Sequence, residues 1–154
     1  MSRPLLALPA TASWGALGGR LALVDRVAAT ESFDVLARTE AVPDALHTAL
    51  ARGEIVRALV LAAPVLPEDT TLIERFAALA RPTLALFGTH DARVPPQSAR
   101  RWRALVPSCH IVFLYDAGHD LAADRPEAFA DAVTDFLADP GTFLINRRAG
   151  ALHP

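Results

Sequence analysis

Two short segments carry an acid and an imidazole at matching places. One is Gly88-Thr89-His90-Asp91, directly after the apolar run PTLALF. The other is Asp116-Ala117-Gly118-His119-Asp120, directly after IVFLY. Asp91 and His119 are separated by 28 positions, the length of one strand–helix–strand unit. If both runs are adjacent strands of a parallel sheet, their carboxyl ends share one edge, where such sheets place their ligands. A carboxylate there holds the ring in orientation and stabilises the imidazolium formed when the ring acts as a general base. Solvent exposure accounts for His90 and Asp120, and a strand end for Asp116. His47, His110 and His153 read as surface, boundary and tail residues, and no two histidines show a helical metal spacing, so no metal is expected. The single cysteine, Cys109, excludes an internal disulfide and a cysteine-based zinc site, and beside a buried strand it reads as an inert packed thiol. Gly15-x-x-Gly18-Gly19 lacks the G-x-G-x-x-G spacing of a dinucleotide fingerprint.

The elements that must position these groups follow from apolar periodicity. Leu5 to Leu8 is a short apolar run stopped by Pro9. Gly15 to Ala28 reads as a helix, weakened in its first turn by Gly18 and Gly19. Phe33 to Ala37 is a strand, and Pro43 to Arg52 a helix with proline near its first turn and Gly53 beyond its end. Ile55 to Ala63 and Pro82 to Phe87 are near-continuous apolar runs of the kind buried on both faces of a parallel sheet. Glu68 to Ala80, Pro96 to Leu105 and Pro126 to Leu137 are helices, with Leu72, Phe76 and Leu79 an inward stripe on the first of them. Ile111 to Tyr115 is the last of five strands. This alternation predicts an α/β class: a three-layer, mostly parallel sheet with helices on both faces, in one domain spanning residues 1–154. The tail, Thr142 to Pro154, is expected either to fray or to add an edge strand through Phe143-Leu144-Ile145.

With both loops placed on strands, the stretch from Val56 to about Leu137 resembles the C-terminal half of the α/β-hydrolase fold family. The phrases VRALVLAAPVLP, RPTLALFGTHDARVPP and CHIVFLYDAGHDLAADRPEAFADAVTDFL carry the likeness. The resemblance implies that Asp91 is the catalytic acid and His119 the catalytic base, in the family's order of Ser, then Asp, then His. The family's nucleophile sits in G-x-S-x-G, a tight strand-to-helix turn, of which this sequence has no clean copy. The nearest is Thr11-Ala12-Ser13-Trp14-Gly15, which makes Ser13 the candidate nucleophile, with the Trp14 N–H as an oxyanion donor. A second alignment competes. LLALPATASWGALGGRLA followed by FDVLARTE also resembles the family's N-terminal portion, where an early strand leads into the oxyanion loop. On that alignment Ser13 lies in the oxyanion loop. The nucleophile strand is then missing, with only the helix Pro43 to Arg52 left of it. Both alignments stay open at this level.

The implied activity is hydrolysis of an ester, thioester or related acyl substrate by a Ser-His-Asp type mechanism, without a cofactor. The alternative is a catalytically inactive, truncated relative acting through homo- or hetero-association, such as a homo-oligomer completing the sheet. Composition bounds the rest. The 154 residues are 52% hydrophobic and 21% charged, and all 15 cations are arginine against 17 acids, a net charge of −2. A basic nucleic-acid surface is therefore not expected. No stretch approaches the ~18 apolar residues of a membrane helix, and the first residues make a poor secretory signal. The expectation is a cytoplasmic chain whose partner is a small acyl substrate.

Overall fold

The structure is a computed structural model and describes residues 3–142. Its centre is a six-stranded sheet. The strands are β1 (Leu5–Leu8), β2 (Leu23–Val24), β3 (Phe33–Arg38), β4 (Val56–Ala62), β5 (Thr83–Gly88) and β6 (Cys109–Leu114), in spatial order β2-β1-β3-β4-β5-β6. Every neighbouring pair is parallel. The helices are α1 (Val42–Arg52), α2 (Thr70–Ala78), α3 (Ala99–Leu105), α4 (Leu121–Asp124) and α5 (Pro126–Ala138).

Alternate residues of the central strands feed two separate cores, as the two-residue period of a strand requires. Phe33, Val35, Leu59, Leu61, Ala85 and Phe87 pack on one face with Leu46 of α1, Phe76 of α2 and Trp102 of α3. Leu36, Val60, Leu84, Leu86 and Val112 pack on the other with Phe129, Val133 and Phe136 of α5. This two-sided burial explains the unbroken apolar runs. One charge enters it: Asp34 is buried in β3, and Arg57 of β4 meets both its oxygens at 3.0 and 2.8 Å. The same guanidinium donates to the Leu137 carbonyl at 2.7 Å, which fastens the end of α5 to the sheet. Trp102 donates its indole N–H to the Pro64 carbonyl and so ties α3 to the loop after β4.

The fold is the three-layer α/β arrangement that the pattern implies. The segment Gly15 to Ala28 departs from it. It holds a five-residue 3-10 turn, Gly15–Gly19, followed by the two-residue strand β2, where a helix is expected. The sheet accordingly has six strands rather than five. Gly15 is at φ +55°, and a Cβ there would meet the Ala122 carbonyl of α4 at 2.6 Å. Gly15 serves close packing onto α4, and Gly18-Gly19 offers too little helical propensity to carry the turn further. The expected fate of Phe143-Leu144-Ile145 lies outside the described residues. Among the described residues, no helix is long and apolar enough to cross a membrane.

Candidate active site

With all strands parallel, the segments after β3, β4, β5 and β6 leave the same edge of the sheet. Two of them are fastened together. The Thr89 N–H donates to the Leu114 carbonyl, the His90 N–H to the Ala117 carbonyl at 2.9 Å, and the Asp116 N–H to the Thr89 hydroxyl at 2.9 Å. The approach is close enough that a Cβ on Gly88 would collide with the carbonyls of Ala117 and Gly118. Glycine is required there by space alone.

This zipped pair of loops delivers Asp91 and His119 to each other. Asp91 Oδ1 accepts from the N–H groups of Arg93 (2.8 Å) and Val94 (3.0 Å), which leaves Oδ2 for His119 Nδ1 at 2.9 Å. The Asp91 side chain is fully buried, and that of His119 is 24% exposed. Burial pushes the Asp91 carboxyl up. The Val94 N–H, the His119 ring and the Arg93 N–H together outweigh it and hold the group below the ordinary aspartate value. An ionised carboxylate only accepts, so Nδ1 carries the ring proton and Nε2 is left as an acceptor.

The group facing Nε2 is the hydroxyl of Thr39, at 3.1 Å. Thr39 follows β3, begins a 3-10 turn over Thr39–Ala41 and leads straight into α1. Its φ is +26°, a conformation that costs a β-branched residue about 1–3 kcal/mol and that surrounding structure must enforce. Thr39 is 1% exposed. The strand–turn–helix of the family's nucleophile therefore exists here, as Ala37-Arg38-Thr39-Glu40-Ala41. Alanines stand where the pattern has glycines and threonine stands where it has serine. A search for serine between glycines passes over it. The signal that could have found it is a strand ending three residues before a helix, with a hydroxyl at the junction.

Ser13 does not enter this chain of contacts. It is exposed in the segment between β1 and the Gly15 turn, and its carbonyl accepts from Arg38 at 2.9 Å. The strand that runs into the Thr39 turn and α1 is β3. Arg38 reaches three neighbours at once: Ser13, the Trp14 ring at 4.8 Å, and Asp120 Oδ1 at 3.3 Å. Asp120 also caps α4 by accepting from the Ala123 N–H. On the other side of Thr39, the Glu40 carboxylate accepts from Arg93 at 2.6 Å, and its own backbone N–H and Arg93 hold it below the ordinary glutamate value. Among the described residues, no group of three or more His, Cys, Asp or Glu is arranged to hold a metal ion. A hydroxyl donating to an imidazole whose far nitrogen donates to a buried carboxylate can pass its proton to the ring as it attacks an electrophile.

Residues 44–143 match the sequence family described as TAP-like protein, a branch of the α/β-hydrolases. The chain belongs to the α/β-hydrolase family. It is 42% identical over 57 residues to the sn-1-specific diacylglycerol lipase ABHD11 of Mus musculus, covering 37% of this chain and 19% of that protein. To Protein ABHD14A of Rattus norvegicus it is 37% identical over 76 residues, covering 48% of this chain and 31% of that one. The chain thus spans between a fifth and a third of the length of these curated relatives. Among solved structures, a thermophilic esterase from Thermogutta terrifontis superposes with a TM-score of 0.69 at 14% identity, covering 91% of both chains.

Proposed function

We propose that this chain is an acyl hydrolase in which Thr39, and not Ser13, is the nucleophile, His119 the general base and Asp91 the group that orients His119. The observation carrying the reading is the hydrogen-bonded series Thr39 Oγ1–His119 Nε2–Asp91, built on a strand-to-helix turn at positive φ. Thr39 Oγ1 attacks the carbonyl carbon as its proton passes to His119 Nε2. The carbonyl electrons move onto oxygen and return as the bond to the leaving alcohol or thiol breaks, and His119 protonates that leaving group. Water then repeats the sequence on the acyl-threonine and frees the acid. The N–H after the nucleophile, that of Glu40, is the expected oxyanion donor. Kinship with enzymes named as a lipase and an esterase supports an ester as the substrate class.

The test is hydrolysis of p-nitrophenyl butyrate. Thr39→Ala and His119→Ala are expected to lower kcat by on the order of 10³-fold or more, and Ser13→Ala to leave it within about twofold. Loss of activity in Ser13→Ala with retention in Thr39→Ala overturns the assignment. One observation favours the second reading, association without catalysis: Glu40, directly after Thr39, brings an ion-paired carboxylate beside the place where negative charge must develop in acyl transfer. A wild-type chain that hydrolyses no ester and sediments as a dimer would support it.

A further inference from the structure

We propose that the cleft between Arg93 and Arg101 receives a carboxylate carried by the substrate, away from its scissile bond. This deepens the hydrolase reading and rests on it. The cleft has a volume of about 190 Å³ and lies between the segment after β4 and the start of α3. Its polar lining residues are Arg93, Ser98 and Arg101, and its apolar ones include Val65, Leu66 and Val94. No acidic residue lines it. Two cations and a hydroxyl above apolar walls suit a short hydrocarbon arm that ends in an anion.

The cleft adjoins the reacting groups through two hydrogen-bonded links. The backbone N–H groups of Arg93 and Val94, two of its lining residues, are the ones that grip Asp91 Oδ1. The Arg93 guanidinium in turn holds the carboxylate of Glu40, the residue after Thr39. A carboxylate therefore already occupies one of the two arginines, next to the proposed nucleophile. That ion pair is exposed, with side-chain values of 62% for Arg93 and 73% for Glu40, and such a pair exchanges readily for a competing anion. The Arg101 side chain forms no ion pair or hydrogen bond with any described residue, and the Ser98 hydroxyl makes no capping bond to α3 although it stands at the N-cap. The planar guanidinium fork matches a carboxylate in shape as well as charge.

The experiment compares kcat/KM for p-nitrophenyl butyrate with that for mono-p-nitrophenyl glutarate, which carries the anion on the acyl arm, and for 4-butyryloxybenzoate, which carries it on the leaving group. One of the two anionic esters is expected to be favoured at least tenfold over the neutral one, and which one tells the side of the scissile bond that enters the cleft. Arg101→Ala should reduce that ratio toward one, and Glu40→Gln, which releases Arg93, should increase it. A ratio near one for both anionic esters, or a ratio that Arg101→Ala leaves unchanged, overturns the proposal. If no ester is hydrolysed at all, the hydrolase reading fails, and binding then judges the cleft by itself. Glutarate raising Tm more in wild type than in Arg101→Ala, at matched ionic strength, supports an anion site, and equal shifts overturn it.

Discussion

Thr39 shows how much one junction residue must reconcile. It sits at φ +26° with a branched side chain, is buried, and still aims its hydroxyl at His119. Glu40 beside it brings a carboxylate close to where negative charge must develop during acyl transfer. Glu40→Ala is expected to raise kcat on a neutral ester by up to about tenfold, because that like charge is then gone. Steady-state kinetics on p-nitrophenyl butyrate decides it. Asp91 governs acid stability. Its native carboxyl is held below the ordinary value, so near pH 4 the unfolded chain binds more protons than the native one. The stabilisation is present above the unfolded pKa and is lost as pH falls through the native one. Urea midpoints between pH 6 and pH 3 should therefore fall less in Asp91→Asn than in wild type. Cys109 behaves oppositely. Burial pushes its thiol up to about 12, so its contribution to stability holds below the unfolded value and is lost as pH rises toward the native one. At pH 8 the native thiol should resist Ellman's reagent and react once the chain is unfolded. Of the candidate residues, Asp91 and His119 were legible because each directly follows a strong strand. Thr39 was not, because alanines at 37 and 41 erase the glycine signature while the backbone keeps its shape.

At the scale of elements, the sequence was readable wherever a strand is buried on both faces and opaque at the glycine turn before β2. β4, β5 and β6 lie within two residues of their expected bounds because their apolar runs have no other use. Gly15, Gly18 and Gly19 mislead, since the apolar residues around them hint at a helix while Gly15 is spent on the approach to Ala122. Gly88 is the sharper case. Gly88→Ala drives a methyl group into the carbonyls of Ala117 and Gly118 and must part the loops that hold Asp91 and His119. Overpacking of this kind costs about 1–3 kcal/mol. Both Tm and kcat should fall, and an Asp91–His119 distance lengthened in a crystal structure of the variant would give the reason.

At the scale of the whole molecule, the sheet is stapled from the end opposite the candidate site. Asp34 and Arg57 join β3 to β4 through two hydrogen bonds, and Arg57 reaches the Leu137 carbonyl at the end of α5. Arg57→Ala leaves the Asp34 carboxylate buried without its cation, a loss of about 2–3 kcal/mol that urea denaturation would register. Activity per folded molecule should barely change, because the staple and Thr39 sit at opposite ends of β3.

The uniform direction of the strands has a kinetic corollary. No two paired strands of the described chain are joined by a tight hairpin, so each ladder must await closure of an intervening crossover. Thr39 and His119 lie 80 residues apart and meet only once β6 has docked. Such non-local topologies refold slowly, and the proposed ester hydrolysis should return with the last phase of recovery rather than with the first helical signal.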